Sequence, residues 1–185
     1  MTQIYIAILR GINVNGKNMI KMPALKLAME EQGFSDVQAY LQSGNLIFTT
    51  GKTECTRLEE MIRTMIAEKF RLEVPVMVQY ATYMKQTRDN NPFLQRNGID
   101  ETKLHVTFLD QEATVDDMAK IPAESYLPDE FVIREKVIYL FCPGGYGTTK
   151  LNNNFFEKKL NTIATTRNWN TVNKLVDLAR EKQEA

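Results

Sequence analysis

The sequence predicts an α+β protein, and three observations support that reading. Short apolar runs of strand length alternate with apolar stripes at helical spacing. Within residues 1–80 the elements fall in the order β-α-β-β-α-β. After residue 103 most of that order returns, so the chain reads as two α/β sandwich modules related by duplication.

Residues 4–9 are almost continuously apolar, with Tyr5 inside the run, as in a central strand. The run ends at Arg10-Gly11, and a polar loop continues to Lys21. Pro23 suits a first helical turn because its missing N–H would have no intrahelical partner there. Leu25, Ala28 and Met29 then share one helical face, and Gly33 supplies a left-handed C-cap. Residues 37–41 and 46–49 read as strands joined by Gln42-Ser43-Gly44-Asn45. Thr56 and Glu59 match a capping box, with Thr53 as an earlier alternative start, ahead of a helix whose apolar face includes Leu58, Ile62 and Ile66. Residues 74–78 close the module, and Pro75 puts that strand at an edge or its start. This is the order of a ferredoxin-like sandwich.

A helix over 80–89 is stopped by Asn90-Asn91-Pro92, so residues 81–102 read as a helix and linker between the modules. The second module, 103–185, opens with a strand over 104–109 and a short helix over 114–120. A hairpin follows across Glu135-Lys136, then a helix over 153–160. A last helix starts near Asn168, with Trp169, Val172, Val176 and Ala179 on one stripe. That helix stands where a fourth strand is due, which makes the second ferredoxin-like module atypical.

Lys plus Arg and Asp plus Glu both total 23, and the first 80 residues hold nine basic and eight acidic groups. The net field therefore offers nucleic acid or anionic lipid no general attraction. Cys55 and Cys142 make no disulfide framework or CxxC pair, and one histidine excludes a histidine-rich metal site. The residues point to no cofactor and no metal. No stretch approaches the roughly 20 apolar residues of a membrane helix, and the N-terminus reads as a strand rather than a signal peptide. The expected compartment is cytoplasmic.

The most unusual segment is Arg10-Gly11-Ile12-Asn13-Val14-Asn15-Gly16-Lys17-Asn18, at the end of the first strand. Its glycines permit close backbone approach, and its cations suit carboxylate or phosphate. The spacing is neither GxGxxG nor GxxxxGK[ST], so both nucleotide fingerprints fail. With ferredoxin-like strand order, Gln42-Ser43-Gly44-Asn45 can approach this loop; ordinary turn chemistry explains the turn as well. Pro143-Gly144-Gly145-Tyr146-Gly147-Thr148-Thr149-Lys150 has phosphate-loop composition without the Walker order. Asn168 is a credible N-cap, Arg167 beside it would reinforce an anion site, and Trp169 reads as core. His105, in a strand pattern, reads as a packed or surface group rather than a general base.

Several of these segments, taken together, resemble one family. They are Ile8-Leu9-Arg10-Gly11-Ile12-Asn13-Val14, Gly16-Lys17-Asn18, Gly33-Phe34, Tyr40-Leu41-Gln42-Ser43-Gly44-Asn45, Asn91-Pro92-Phe93, Lys150-Leu151 and Thr166-Arg167-Asn168-Trp169-Asn170-Thr171-Val172. The chain resembles the uncharacterised family known as domain of unknown function 1697. The resemblance implies a two-part α+β fold related to ferredoxin-like domains, and it supplies no activity, substrate or cofactor. It draws attention to Arg10, Gly11, Asn13, Lys17, Gln42, Ser43, Asn45, Lys150, Arg167, Asn168 and Asn170. The family often has Gly-Gly where Asn15-Gly16 stands, which asks whether the first loop keeps the same backbone.

The preferred expectation is a binding protein that holds a small anionic or nucleotide-like ligand at an interdomain crevice. Arg10, Lys150 and Arg167 would engage charge, while Asn13, Ser43, Asn45 and Asn168 orient the ligand. Nucleic-acid binding is the alternative, and it requires Tyr5 and Phe48 on an exposed sheet face. An enzyme of unknown reaction, with Ser43 or Thr149 near the chemistry, is a further alternative, and a protein partner would predict an exposed apolar patch.

Overall fold

The computed structural model describes residues 2–184. They form two compact units, residues 2–86 together with 174–184, and residues 87–173.

The first unit runs β1 (Thr2–Leu9), α1 (Met22–Glu31), β2 (Ser35–Tyr40), β3 (Asn45–Gly51), α2 (Cys55–Phe70) and β4 (Val76–Tyr80), then enters α3 (Ala81–Asp89). Its sheet has the order β2-β3-β1-β4, all neighbours antiparallel. Tyr5, Ala7 and Leu9 of β1 pack with Leu46 and Phe48 of β3 under Leu25 and Met29 of α1 and Leu58, Ile62 and Ile66 of α2. Ile6, Ile8 and Ile47, which alternate with them onto the opposite face, are fully buried as well. Both faces of this sheet are therefore closed to solvent at its centre.

One helix start differs from the sequence expectation. The proposed Thr56/Glu59 capping box does not form: α2 begins at Cys55 with Glu54 as an N-cap that makes no side-chain bond. Glu59 instead accepts a hydrogen bond from Val78 N on edge strand β4, at 2.9 Å. A tertiary partner outcompetes the local one, and the carboxylate blunts a sheet edge.

The second unit holds β5 (Leu104–Leu109), α4 (Val115–Ala119), β6 (Glu130–Arg134), β7 (Val137–Phe141), α5 (Asn153–Leu160) and β8 (Ala164–Asn168), and α6 (Trp169–Glu184) starts within it. Here the sequence reading needs correcting, because β8 supplies the missing fourth strand and α6 follows it directly. The five residues of β8 include two threonines, an arginine and an asparagine, so no apolar alternation marks them. Pairing with β5 makes them a strand.

The resulting order, β6-β7-β5-β8, is the permutation seen in the first sheet. The correspondence extends to single hydrogen bonds. Leu9 N donates to Gly44 O at 2.8 Å and Leu109 N to Lys136 O at 2.9 Å; Arg10 N donates to Pro75 O at 2.9 Å and Asp110 N to Ile163 O at 3.0 Å. Glu157, the fifth residue of α5, accepts from Ala164 N at 3.0 Å, as Glu59, the fifth of α2, accepts from Val78 N.

Candidate functional site

In the first unit the Arg10 loop and the turn at 42–45 form one double loop at the C-terminal end of β1. Asn13 joins them. Its amide nitrogen donates to Ile20 O at 2.9 Å and to Gln42 O at 2.8 Å, and its Oδ1 accepts from Ile20 N at 2.8 Å. Both amide protons and the side-chain oxygen are thus committed to backbone. Asn18 closes the loop on itself through Nδ2 to Gly11 O at 3.1 Å. Asn45, fully buried, donates to Tyr40 O at 2.9 Å and to Ser43 Oγ at 3.1 Å. These asparagines build the loops, which leaves ligand contact to other groups.

The backbone explains the residue types. Asn15 and Gly16 have φ of 50° and 73° and sit inside a Val14–Lys17 bridge closed by Lys17 N to Val14 O at 2.9 Å. Positive φ at both central residues is the type I′ hairpin signature, for which Asn-Gly is the strongest sequence. Asn15 therefore adopts the left-handed backbone that glycine would. Gly44, at φ 78°, lies so close beneath the loop that a Cβ there would meet Ile12 Cδ1 and Leu9 Cβ at 2.8 Å.

What the double loop presents is mixed. Arg10 and Ser43 are half-buried, and Lys17, Lys21 and Gln42 are exposed. Val14, Met19 and Leu41 are 50 %, 65 % and 52 % exposed. Each is a chain neighbour of a residue in the Asn13 network, so the same double loop carries both the apolar side chains and the cations. The second module offers a contrast at the equivalent strand end. Asp110 occupies the position of Arg10, and Lys136 Nζ bonds its carbonyl at 2.8 Å. A two-residue turn at Glu135-Lys136 replaces the longer turn of the first module. The cationic double loop belongs to the first module alone.

The remaining predicted residues lie in the second unit. In the glycine-rich loop, Gly145 N donates to Cys142 O at 2.9 Å and Thr148 N to Gly145 O at 3.2 Å. Leu151 N goes to Thr149 Oγ1 at 3.0 Å, and Asn152 caps α5 by accepting from Phe155 N. These donors face their own chain rather than an open cradle, while Lys150 is exposed at the end of the loop. Burial also brings Cys142 up to about 11, so the thiol is inert at neutral pH.

Tyr146 ties this loop to the sheet. Its hydroxyl donates to Thr166 Oγ1 at 2.9 Å, and Thr166 Oγ1 also meets Thr107 Oγ1 at 2.7 Å and donates to Asn153 Oδ1 at 2.6 Å. One donor and two acceptors account for all three contacts if Thr107 donates. His105 stacks on Tyr146 at 4.9 Å, and burial lowers its pKa, opposed by its bond to Lys103 O. This network joins residues up to 61 positions apart in sequence, and no local pattern announces it.

Arg167 points to the other face of β8, where Nη1 donates to Thr165 Oγ1 at 3.0 Å and Thr166 O at 2.9 Å. Burial pushes this guanidinium down to about 10, with Tyr146 acting in the opposite direction, so it is charged at neutral pH. Asn168 caps α6 by accepting from Thr171 N at 2.8 Å, while Asn170 is exposed. Trp169 is buried and donates to Glu101 Oε2 at 3.0 Å. Tyr5 and Phe48 do share a face and stack at 5.7 Å, but both are fully buried in the core. The exposed aromatic platform that base stacking requires is not formed by this pair. Among the described residues no three His, Cys, Asp or Glu side chains gather as metal ligands, and no helix is long and apolar enough to cross a membrane.

Two β-α-β-β-α-β units with the same strand permutation define a two-module ferredoxin-like protein, here with a cationic double loop on the first module. The chain belongs to the family described as protein of unknown function DUF1697, whose model matches residues 1–139. The matched span contains Arg10, Gly11, Asn13, Lys17, Gln42, Ser43 and Asn45; Lys150, Arg167, Asn168 and Asn170 lie beyond it. The fold is similar to that of a solved structure, the conserved bacterial protein SP0830 from Streptococcus pneumoniae, at 22 % identity and a TM-score of 0.72. The likeness covers 97 % of this chain and 99 % of that one. No curated protein matches the chain.

Proposed function

We propose that the chain is a binding protein that takes a small anionic ligand on the double loop of its first module. The observation that carries this reading is the Asn13 amide, whose two donors and one acceptor hold the Arg10 loop and the 42–45 turn in one arrangement. A loop stabilised this way has little conformational entropy left to lose on binding. It presents Arg10 and Lys17, whose donors suit phosphate or carboxylate, with Gln42 beside them. The exposed Val14, Met19 and Leu41 favour an anion attached to an apolar body over a bare inorganic ion. The reversal to Asp110 in the second module supports one such surface per chain.

Thermal-shift titration with phenyl phosphate and with inorganic phosphate tests the reading. Phenyl phosphate is expected to raise the melting temperature of the wild type more than phosphate does. Arg10→Ala and Lys17→Ala should each abolish most of that rise. Asn13→Ala keeps both cations and should still lose most of it, because the loops are no longer held. Equal shifts in the wild type and Arg10→Ala would exclude this surface as the binding site.

A further inference from the structure

The first unit carries a groove of about 700 Å³ along the outer side of β2, walled by α1 and reached by Lys182 of α6. Its size falls within the usual range for ligand sites. Strand β2 is the terminal strand of its sheet, and among the described residues nothing hydrogen-bonds its outer backbone edge over residues 36–39. Strands β4 and β8 also end their sheets, and each has a main-chain N–H held by a helix carboxylate, from Glu59 and Glu157. The β2 edge has no such latch. It bulges between Ser35 and Gln38, and from Gln38 to Tyr40 it pairs regularly with β3.

From these features we propose that the groove accepts an extended peptide segment of a protein partner, which adds to β2 as a fifth strand and places an acidic side chain on Lys182. An open strand edge beside a helix is the geometry in which main-chain hydrogen bonds give affinity and flanking pockets read alternate side chains. Met22, Pro23 and Ala39 give the groove its apolar walls.

The charges select the guest. Lys26 pairs with Glu30 at 3.6 Å, and Asp36 accepts the Thr49 hydroxyl at 2.9 Å. Lys182, half-buried, is the one charged side chain of the groove with no polar partner among the described residues. A carboxylate from the guest completes it. A second copy of the chain fits less well, because it would bring a concave surface to a concave surface. A single extended segment is narrow enough to enter.

The test uses the full chain and a library of octapeptides acetylated at the N-terminus and amidated at the C-terminus, so that only side chains supply carboxylates. Peptides selected on the wild type are expected to contain Asp or Glu and to shift the main-chain amide resonances of residues 36–40. Lys182→Glu should weaken them by about fivefold or more, and replacing the peptide's acidic residue by Lys should recover binding to that variant. The variant's unfolding curve confirms that it is folded, and Lys182→Gln checks that charge rather than shape is read. Selected peptides that shift amides elsewhere, that bind Lys182→Glu equally well, or that never emerge from the library overturn the proposal. So does a wild-type dimer by sedimentation whose β2 amides are protected by self-association.

Discussion

Gly44 shows how much a single position can decide. Its φ of 78° strains any L side chain, and an added Cβ would sit 2.8 Å from Leu9 Cβ and Ile12 Cδ1. Gly11 has a similar φ of 71° but nothing within 4 Å of its added Cβ. The pair separates backbone strain from crowding. Gly11→Ala should cost about 1 kcal/mol, the left-handed penalty alone. Gly44→Ala should cost about 2–4 kcal/mol because overpacking adds to it. Urea unfolding of both variants measures the difference, and equal costs would mean that the double loop yields without strain. His105 offers a second test at this scale, since it is the sole histidine and its ring signal stands alone. Burial lowers its pKa below the ordinary 6.5, so the unfolded chain takes up the proton first. Its contribution to stability is full above roughly pH 6.5 and declines as pH falls through the folded-state value. An NMR titration should find the midpoint below that of a model histidine, and His105→Gln should flatten stability over that window.

At the scale of elements, the two modules reuse one device, a helix carboxylate on the fourth strand. Glu59→Ala removes the acceptor for Val78 N and should cost about 1 kcal/mol, with more self-association as the β4 edge is uncovered. Glu59→Gln keeps an acceptor and should recover most of both, as read by urea midpoints and light scattering. Elements with strong apolar periodicity were legible in the sequence: β1, α1, α2 and β7 all lie where their patterns put them. Strand β8 was not, because the pairing with β5 that defines it is about 60 residues distant in sequence. The capping box was a sound local signal overridden by a tertiary partner. At the candidate site, Arg10, Asn13 and Gln42 were legible as a group because ferredoxin-like order brings the first and third strands together. The roles within the group were not. Composition cannot say whether an asparagine points outward or, like Asn13 and Asn45, turns both donors onto its own chain. The Asn15-Gly16 hairpin was available as a dipeptide, yet it was masked by the loop's resemblance to a glycine-rich anion site.

For the molecule as a whole, structural repetition and difference are both visible. The strand permutation and paired loop hydrogen bonds are common to both units, while Arg10 of one stands where Asp110 stands in the other. The chain's path adds a constraint that a simple tandem of modules would lack. It leaves the first unit after residue 86 and returns at 174, so the later turns of α6 complete a unit begun at the other end of the sequence. Leu175, Val176, Leu178 and Ala179 of that segment are buried. At roughly 1.5–3 kcal/mol for each large side chain, their removal is comparable with the whole stability of a small domain. Truncation after Asn173 should therefore abolish slow amide exchange in β1 and β3, even though no residue of either strand is altered. Trp169 is retained in the truncated chain, and its emission reports on the second unit in the same sample. Exchange in β1 and β3 as slow as in the full chain would show that the first unit is complete without the α6 segment. Loss of protection there with Trp169 emission unchanged would establish that the first module closes only with the α6 segment in place.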